Sequence, residues 1–148
     1  MRALLLAVAL LLPMDAAAQT GEPRAQADRL TAILIERGVG AFVDTVLTET
    51  PLGTDANARR NIEQNRERWE REFANLGKPV DVVHAGERAY APVFRTLCYV
   101  VRFPRVPLFV NLRYYRSPQR WELLHYGWHD NVANWECAAG APLVPPAN

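Results

Sequence analysis

Three histidines and a handful of acids and tyrosines are the side chains of this 148-residue chain that could do chemistry. His125, His129 and Asp130 invite a metal reading, because His-x-x-x-His on a helix brings both imidazoles to one ion. On a strand the same spacing separates them by roughly 13 Å, at about 3.3 Å per residue, too far for shared ligation at about 2 Å per bond. The pattern around them is that of a strand, so the sequence supplies no metal site and both residues read as surface or capping histidines. A proton-transfer enzyme would need a base in an apolar pocket beside a hydrogen-bond donor. Asp44, Asp81, His84 and Asp130 are the candidate bases, and Tyr99, Tyr114 and Tyr126 the candidate donors. Asp44 by itself reads as a solvated helix carboxylate. No Ser/His/Asp pattern, Gly-rich phosphate loop or nucleotide fingerprint is present, and no cofactor is implied.

Cys98 and Cys137 are the only cysteines. Neither Cys-x-x-Cys nor a Cys/His cluster accompanies them, so a disulfide tying a central strand to the tail is expected in an oxidising compartment. The N-terminus agrees with such a compartment. Arg2, the apolar run from Ala3 to Leu12, Pro13 and the small residues Ala16-Ala17-Ala18 have the order of a secretory signal peptide over 1–18. The run is shorter than the 20 or so apolar residues a membrane span needs. A periplasmic or secreted location is expected, with no transmembrane segment.

A net charge of +1 predicts no nucleic-acid partner. The distribution is uneven: Arg95, Arg102, Arg105, Arg113, Arg116 and Arg120 fall in a stretch without an acid, interleaved with Tyr99, Phe103, Phe109, Tyr114 and Tyr115. That stretch could form an Arg/aromatic sheet face for a protein partner or an envelope component. The favoured reading is a set of solvated arginines, since Lys78 is the only lysine and arginine is the usual base of this chain.

The elements that must position these groups begin with a helix over 24–37, where Ala27, Leu30, Ile33 and Leu34 recur at helical spacing behind Pro23. Gly38 and Gly40 should end it, and a short second helix follows over 41–47. A third helix takes Thr54 as N-cap, Asp55 in its first turn and Gly77 as its stop, with Ile62, Trp69, Phe73 and Leu76 as its apolar stripe. Arg59/Glu63, Glu67/Arg71 and Arg68/Glu72 are i,i+4 pairs on its wet side. Strands then follow over 80–84, 88–93 and 94–103, with a turn at Ala85-Gly86-Glu87 and a break at Pro104–Pro107.

The last hairpin runs from Leu108 to Asp130 through Ser117-Pro118-Gln119. Leu108, Val110, Leu112 and Tyr114 alternate onto one face of its first strand. Its second strand is apolar on both faces, so register decides which face is buried. A two-residue loop sets His125 beside Leu112, whereas a three-residue loop turns Leu124, Tyr126 and Trp128 inward. The three-residue loop is the expected one, since it buries the larger apolar set and keeps the histidines in water.

Helices followed by consecutive strands argue for an α+β domain over 19–137, its antiparallel sheet packed on helices by one face, with a loose Pro-rich tail over 138–148. With the segment Tyr114-Tyr115-Arg116-Ser117-Pro118-Gln119-Arg120-Trp121-Glu122-Leu123-Leu124, this order resembles the nuclear-transport-factor-two-like superfamily, in which three N-terminal helices precede a curved, cone-shaped sheet. The resemblance implies a concave pocket between helices and sheet, in a superfamily holding ketosteroid-isomerase-like and polyketide-cyclase-like enzymes beside non-enzymatic exported domains. The expected function is a non-catalytic binding domain for a small apolar or amphipathic ligand, lined by Trp69, Phe73, Leu112, Tyr114, Leu124, Tyr126 and Trp128. A partner-binding module and an isomerase- or cyclase-like pocket enzyme are the alternatives.

Overall fold

The computed structural model describes residues 22–138. The leader expected at 1–18 and the tail beyond Ala138 lie outside them. Helix α1 (Pro23–Glu49) opens with Pro at its first turn and contains Gly38 at φ 84° and ψ 175°. The backbone leaves the helical region at Gly38, as expected, and the two helical segments on either side of it run on as one kinked element. Only glycine takes that backbone conformation without a steric penalty, and the kink lets Leu30 and Leu34 before it and Phe42, Val43 and Val46 after it all be buried. A 3₁₀ turn (Pro51–Gly53) leads to helix α2 (Ala56–Leu76).

The N-cap of α2 is Asp55, one residue later than expected. Its carboxylate accepts from the N–H groups of Asn57 and Ala58 at 2.9 and 2.8 Å. Thr54 is occupied elsewhere, its hydroxyl donating to the Pro51 carbonyl at 2.9 Å. Gly77 ends α2 at φ 88°, as its position suggests. The stripe holds, with Ile62 and Phe73 buried and Trp69 and Leu76 packed on the core.

Four antiparallel strands follow in the order β1 (Asp81–Ala91), β2 (Phe94–Arg102), β3 (Pro107–Arg116) and β4 (Trp121–His129). The turn expected at Ala85-Gly86-Glu87 is instead a bulge inside β1. His84 pairs with Tyr99 and Gly86 with Cys98, so both flanks of the bulge face the same partner strand and the chain bends without reversing. A second irregularity between Ala89 and Ala91 leaves Tyr90 unpaired and exposed.

The β3–β4 hairpin turns over Pro118-Gln119, with the Ser117 N–H donating to the Arg120 carbonyl at 2.9 Å. Arg116 faces Trp121 and Tyr114 faces Leu123, which is the register of a two-residue loop and corrects the three-residue expectation. A bulge then intervenes between Arg113 and Tyr114, skipping Leu124, so that Leu112 faces Tyr126 and Val110 faces Trp128. One extra residue serves both apolar faces of β4. Trp121 and Leu123 go inward before the bulge and Tyr126 and Trp128 after it, while Leu124 is 39% exposed and leaves the inner set assigned to it.

The core thus lies between α1, α2 and one sheet face, with Leu97, Tyr99, Val101, Val110, Leu112, Tyr114 and Leu123 nearly inaccessible. Burial at about 25 cal/mol per Å² of apolar surface makes this layer the main stabilising term. The other sheet face carries a smaller cluster. The disulfide Cys98–Cys137 brings the C-terminal segment across it, Phe109 and Trp135 stack at 5.1 Å, and the Trp135 indole N–H donates to the Val110 carbonyl at 3.3 Å. Among the described residues no helix is long and apolar enough to cross a membrane.

Candidate functional site

The aromatic residues expected to line a pocket fill it themselves. Trp69 meets Trp128 edge to face at 5.0 Å and Tyr126 at 6.0 Å; Phe73 meets Trp128 at 5.2 Å, and Phe42 meets Tyr126 at 5.2 Å. These are separations and tilts that aromatic pairs prefer. Leu112 and Tyr114 lie beneath with no exposed surface. Phe42, from beyond the Gly38 kink, completes the cluster. Of the expected set, Phe73 borders an open groove. That groove, of about 420 Å³, runs along the kink and the end of α2 past Leu34, Ile35, Val39, Pro79 and Phe103.

A second cleft, of about 400 Å³, lies between the two ends of α1, the 3₁₀ turn and the start of β4. Leu30, Trp121 and Leu123 give it an apolar floor, and Arg29, Glu49, Arg120 and Glu122 surround it. Arg29 donates from both terminal nitrogens to the Glu49 carboxylate, and Arg120 donates to Glu122 at 3.2 Å. The Arg29 hydrogen bonds hold the Glu49 carboxyl below its ordinary range. Arg95 and Arg116 sit over the Trp121 ring at 5.2 and 5.9 Å, within cation–π range. Trp121 and Leu123 face this cleft in the two-residue hairpin register that precedes the bulge.

A polar cluster joins α1 to the sheet. Arg24 donates to Asp28 at 2.8 Å and to His84 Nδ1 at 2.8 Å, and the Tyr99 hydroxyl donates to Asp28 at 2.8 Å. Burial, then the Arg24 charge, holds the His84 imidazolium form down. Burial pushes the Tyr99 phenol far up, and the bond to Asp28 adds to this. Two of the candidate residues, His84 and Tyr99, are thereby brought together, their rings 5.0 Å apart. Arg24 and Asp28, which join them, passed unnoticed because an Arg–Asp i,i+4 pair reads as a solvated helix pair. Asp28 is about half exposed and ion-paired, which is not the environment of a general base.

The remaining candidates are dispersed. Asp44 accepts from Arg66 at 2.6 and 3.0 Å, an unexpected tie between α1 and α2. Asp81 is bound by Arg102 across β1 and β2. Asp130 is exposed beyond the end of β4, with His125 facing Arg113 and His129 facing Phe109 in the ladder. Among the described residues no group of three His, Cys, Asp or Glu side chains is placed to hold a metal. Acids from outside the acid-free stretch find four of its arginines: Arg95 with Glu22 and Glu87, Arg102 with Asp81, Arg113 with Glu136, and Arg120 with Glu122. On α2, the three expected pairs form, and Arg66–Glu70 joins them.

Comparison with protein-family models, with curated proteins and with solved structures returns no match.

Proposed function

We propose that this chain is an exported binding domain that holds a small amphipathic ligand in the cleft between α1, the 3₁₀ turn and β4 without transforming it. The observation that carries this reading is the composition of that cleft: about 400 Å³, an apolar floor of Leu30, Trp121 and Leu123, and a rim of two Arg–Glu pairs. Ligand sites combine enclosed apolar surface with a few placed polar groups in this way. Both carboxylates of the rim are engaged by arginine, which leaves no free base for an isomerase- or cyclase-like reaction. The disulfide supports export, because such bonds persist in oxidising compartments.

Kinship with the nuclear-transport-factor-two-like superfamily is part of the same proposal. It is supported by helices preceding an antiparallel meander, and by bulges in β1 and β4 that bend a sheet. Titration of the protein with decanol, followed by amide and indole chemical shifts, tests the site. Shifts should concentrate at Ala25, Leu30, Trp121 and Leu123. Shifts centred on Trp69, Tyr126 and Trp128 would return the ligand to the aromatic layer, and no shifts at all would overturn the binding reading.

A further inference from the structure

The charges that line the cleft are balanced, with Arg29 and Glu49 on its helix side and Arg120 and Glu122 on its strand side. Arg29 and Glu49 stand 20 positions apart in the chain. On a straight helix that is about 30 Å, and the change of direction at Gly38 brings them into contact. Their side chains are 51% and 47% exposed. Exposed pairs contribute little, so this one is open to further partners. A singly charged ligand satisfies one member of such a pair and sets a like charge against the other. A zwitterion laid head to tail along it gives all four charges an opposite neighbour. Because Arg29 and Glu49 touch, the ligand's own charges must lie equally close, as they do on a single carbon atom. The Glu49 carboxylate accepts hydrogen bonds, which an ammonium carrying N–H groups supplies. A quaternary ammonium is read by aromatic faces instead, and the Trp121 ring at this cleft already has Arg95 and Arg116 over it.

We infer that the cleft takes an apolar α-amino acid, with its carboxylate on Arg29, its ammonium on Glu49 and its side chain along Leu30, Trp121 and Leu123. This specificity rests on the cleft being the ligand site and adds to it the chemical class of the ligand.

L-Leucine, 4-methylpentanoate and 3-methylbutylamine share an apolar body and carry both charges, the negative one and the positive one. Titration followed by amide chemical shifts should show the wild type binding leucine about fivefold or more above either singly charged probe, the upper range of a half-exposed ion pair. Arg29→Gln and Glu49→Gln each break an exposed pair and should fold as the wild type. Their selectivities should move in opposite senses. Arg29→Gln leaves Glu49 free and should prefer the amine; Glu49→Gln leaves Arg29 free and should prefer the carboxylate; both should lose the advantage of leucine. Decanol, which is uncharged, tests the cleft separately and should bind the wild type and both variants. Leucine binding no better than the singly charged probes, while decanol still shifts the cleft amides, overturns the zwitterion class and leaves the cleft standing. Failure of every probe, decanol included, to shift those amides overturns the cleft itself. Equal weakening of all three charged probes in both variants, the mark of a merely structural pair, overturns the assignment to Arg29 and Glu49, and so does a selectivity that neither variant changes.

Discussion

Arg24 can donate to Nδ1 of His84 only while that nitrogen keeps its lone pair, so the contact requires a neutral imidazole. Burial and the Arg24 charge lower its affinity for a proton, with Asp28 and Glu87 opposing weakly. His125 is lowered in the same sense by burial, Arg113 and His129. In the unfolded chain both return toward the ordinary value of 6.5. Falling pH therefore protonates the unfolded state first. The stability these groups contribute is present above that value and is lost as pH drops through and below it. Urea unfolding at about pH 7.5 and about pH 5.5 should show a loss at the lower pH, smaller in His84→Gln and smaller again when His125→Asn is added. A wild type equally stable at both would mean that the imidazoles are free to charge in the fold. His84 and Tyr99 stood out in the sequence as a candidate base and a candidate hydrogen-bond donor. Their partners did not, since nothing local distinguishes Arg24 and Asp28 from the other ion pairs of a wet helix face.

At the scale of elements, α2 is held by two aromatic anchors and β4 by one extra residue. Phe73→Ala should cost about 3–5 kcal/mol in urea denaturation, the range for emptying a buried ring site, and Trp69→Ala rather less, because its ring is only partly buried. Losses under about 1 kcal/mol at both would mean that the stripe does not seat on Phe103, Tyr126 and Trp128 as described. Leu124 gives a sharper contrast. Its side chain is largely exposed, so Leu124→Ala should change stability by less than about 1 kcal/mol, whereas deleting it removes the bulge and turns Tyr126 and Trp128 to the outer face. The deletion should therefore abolish cooperative unfolding, and a deletion variant that unfolds like the wild type would show that the register is not set there. The helices were legible from spacing, caps and glycines. The break at Gly38 was legible as well, but Gly86 was not: it bulges a strand where local signals read a turn.

For the whole molecule, the Cys98–Cys137 bond closes a sequence separation of 39 residues. In the chain-entropy model such a closure contributes about 4 kcal/mol. Paired replacement of both cysteines by serine should lower stability by up to that amount and free Trp135 and Glu136 from the outer face, visible as a changed near-ultraviolet signal. Material taken from an exported fraction should start near Gln19 and gain two mass units on reduction; free thiols in that fraction would sink the bond. Composition and pattern by themselves determined the α+β class, the disulfide pair, the third-helix stripe and the solvated charge pairs, because these depend on local periodicity or on having only two cysteines to join. Only the tertiary structure decided the rest. A bulge is set by which partner the flanks find, not by the bulged residue, so the facing of Leu123, Leu124, Tyr126 and Trp128 could not be read from alternation. Whether rings enclose a space or fill it depends on the distance between layers, and here Trp69, Phe73, Tyr126 and Trp128 pack together while the opening lies beside Arg29 and Trp121.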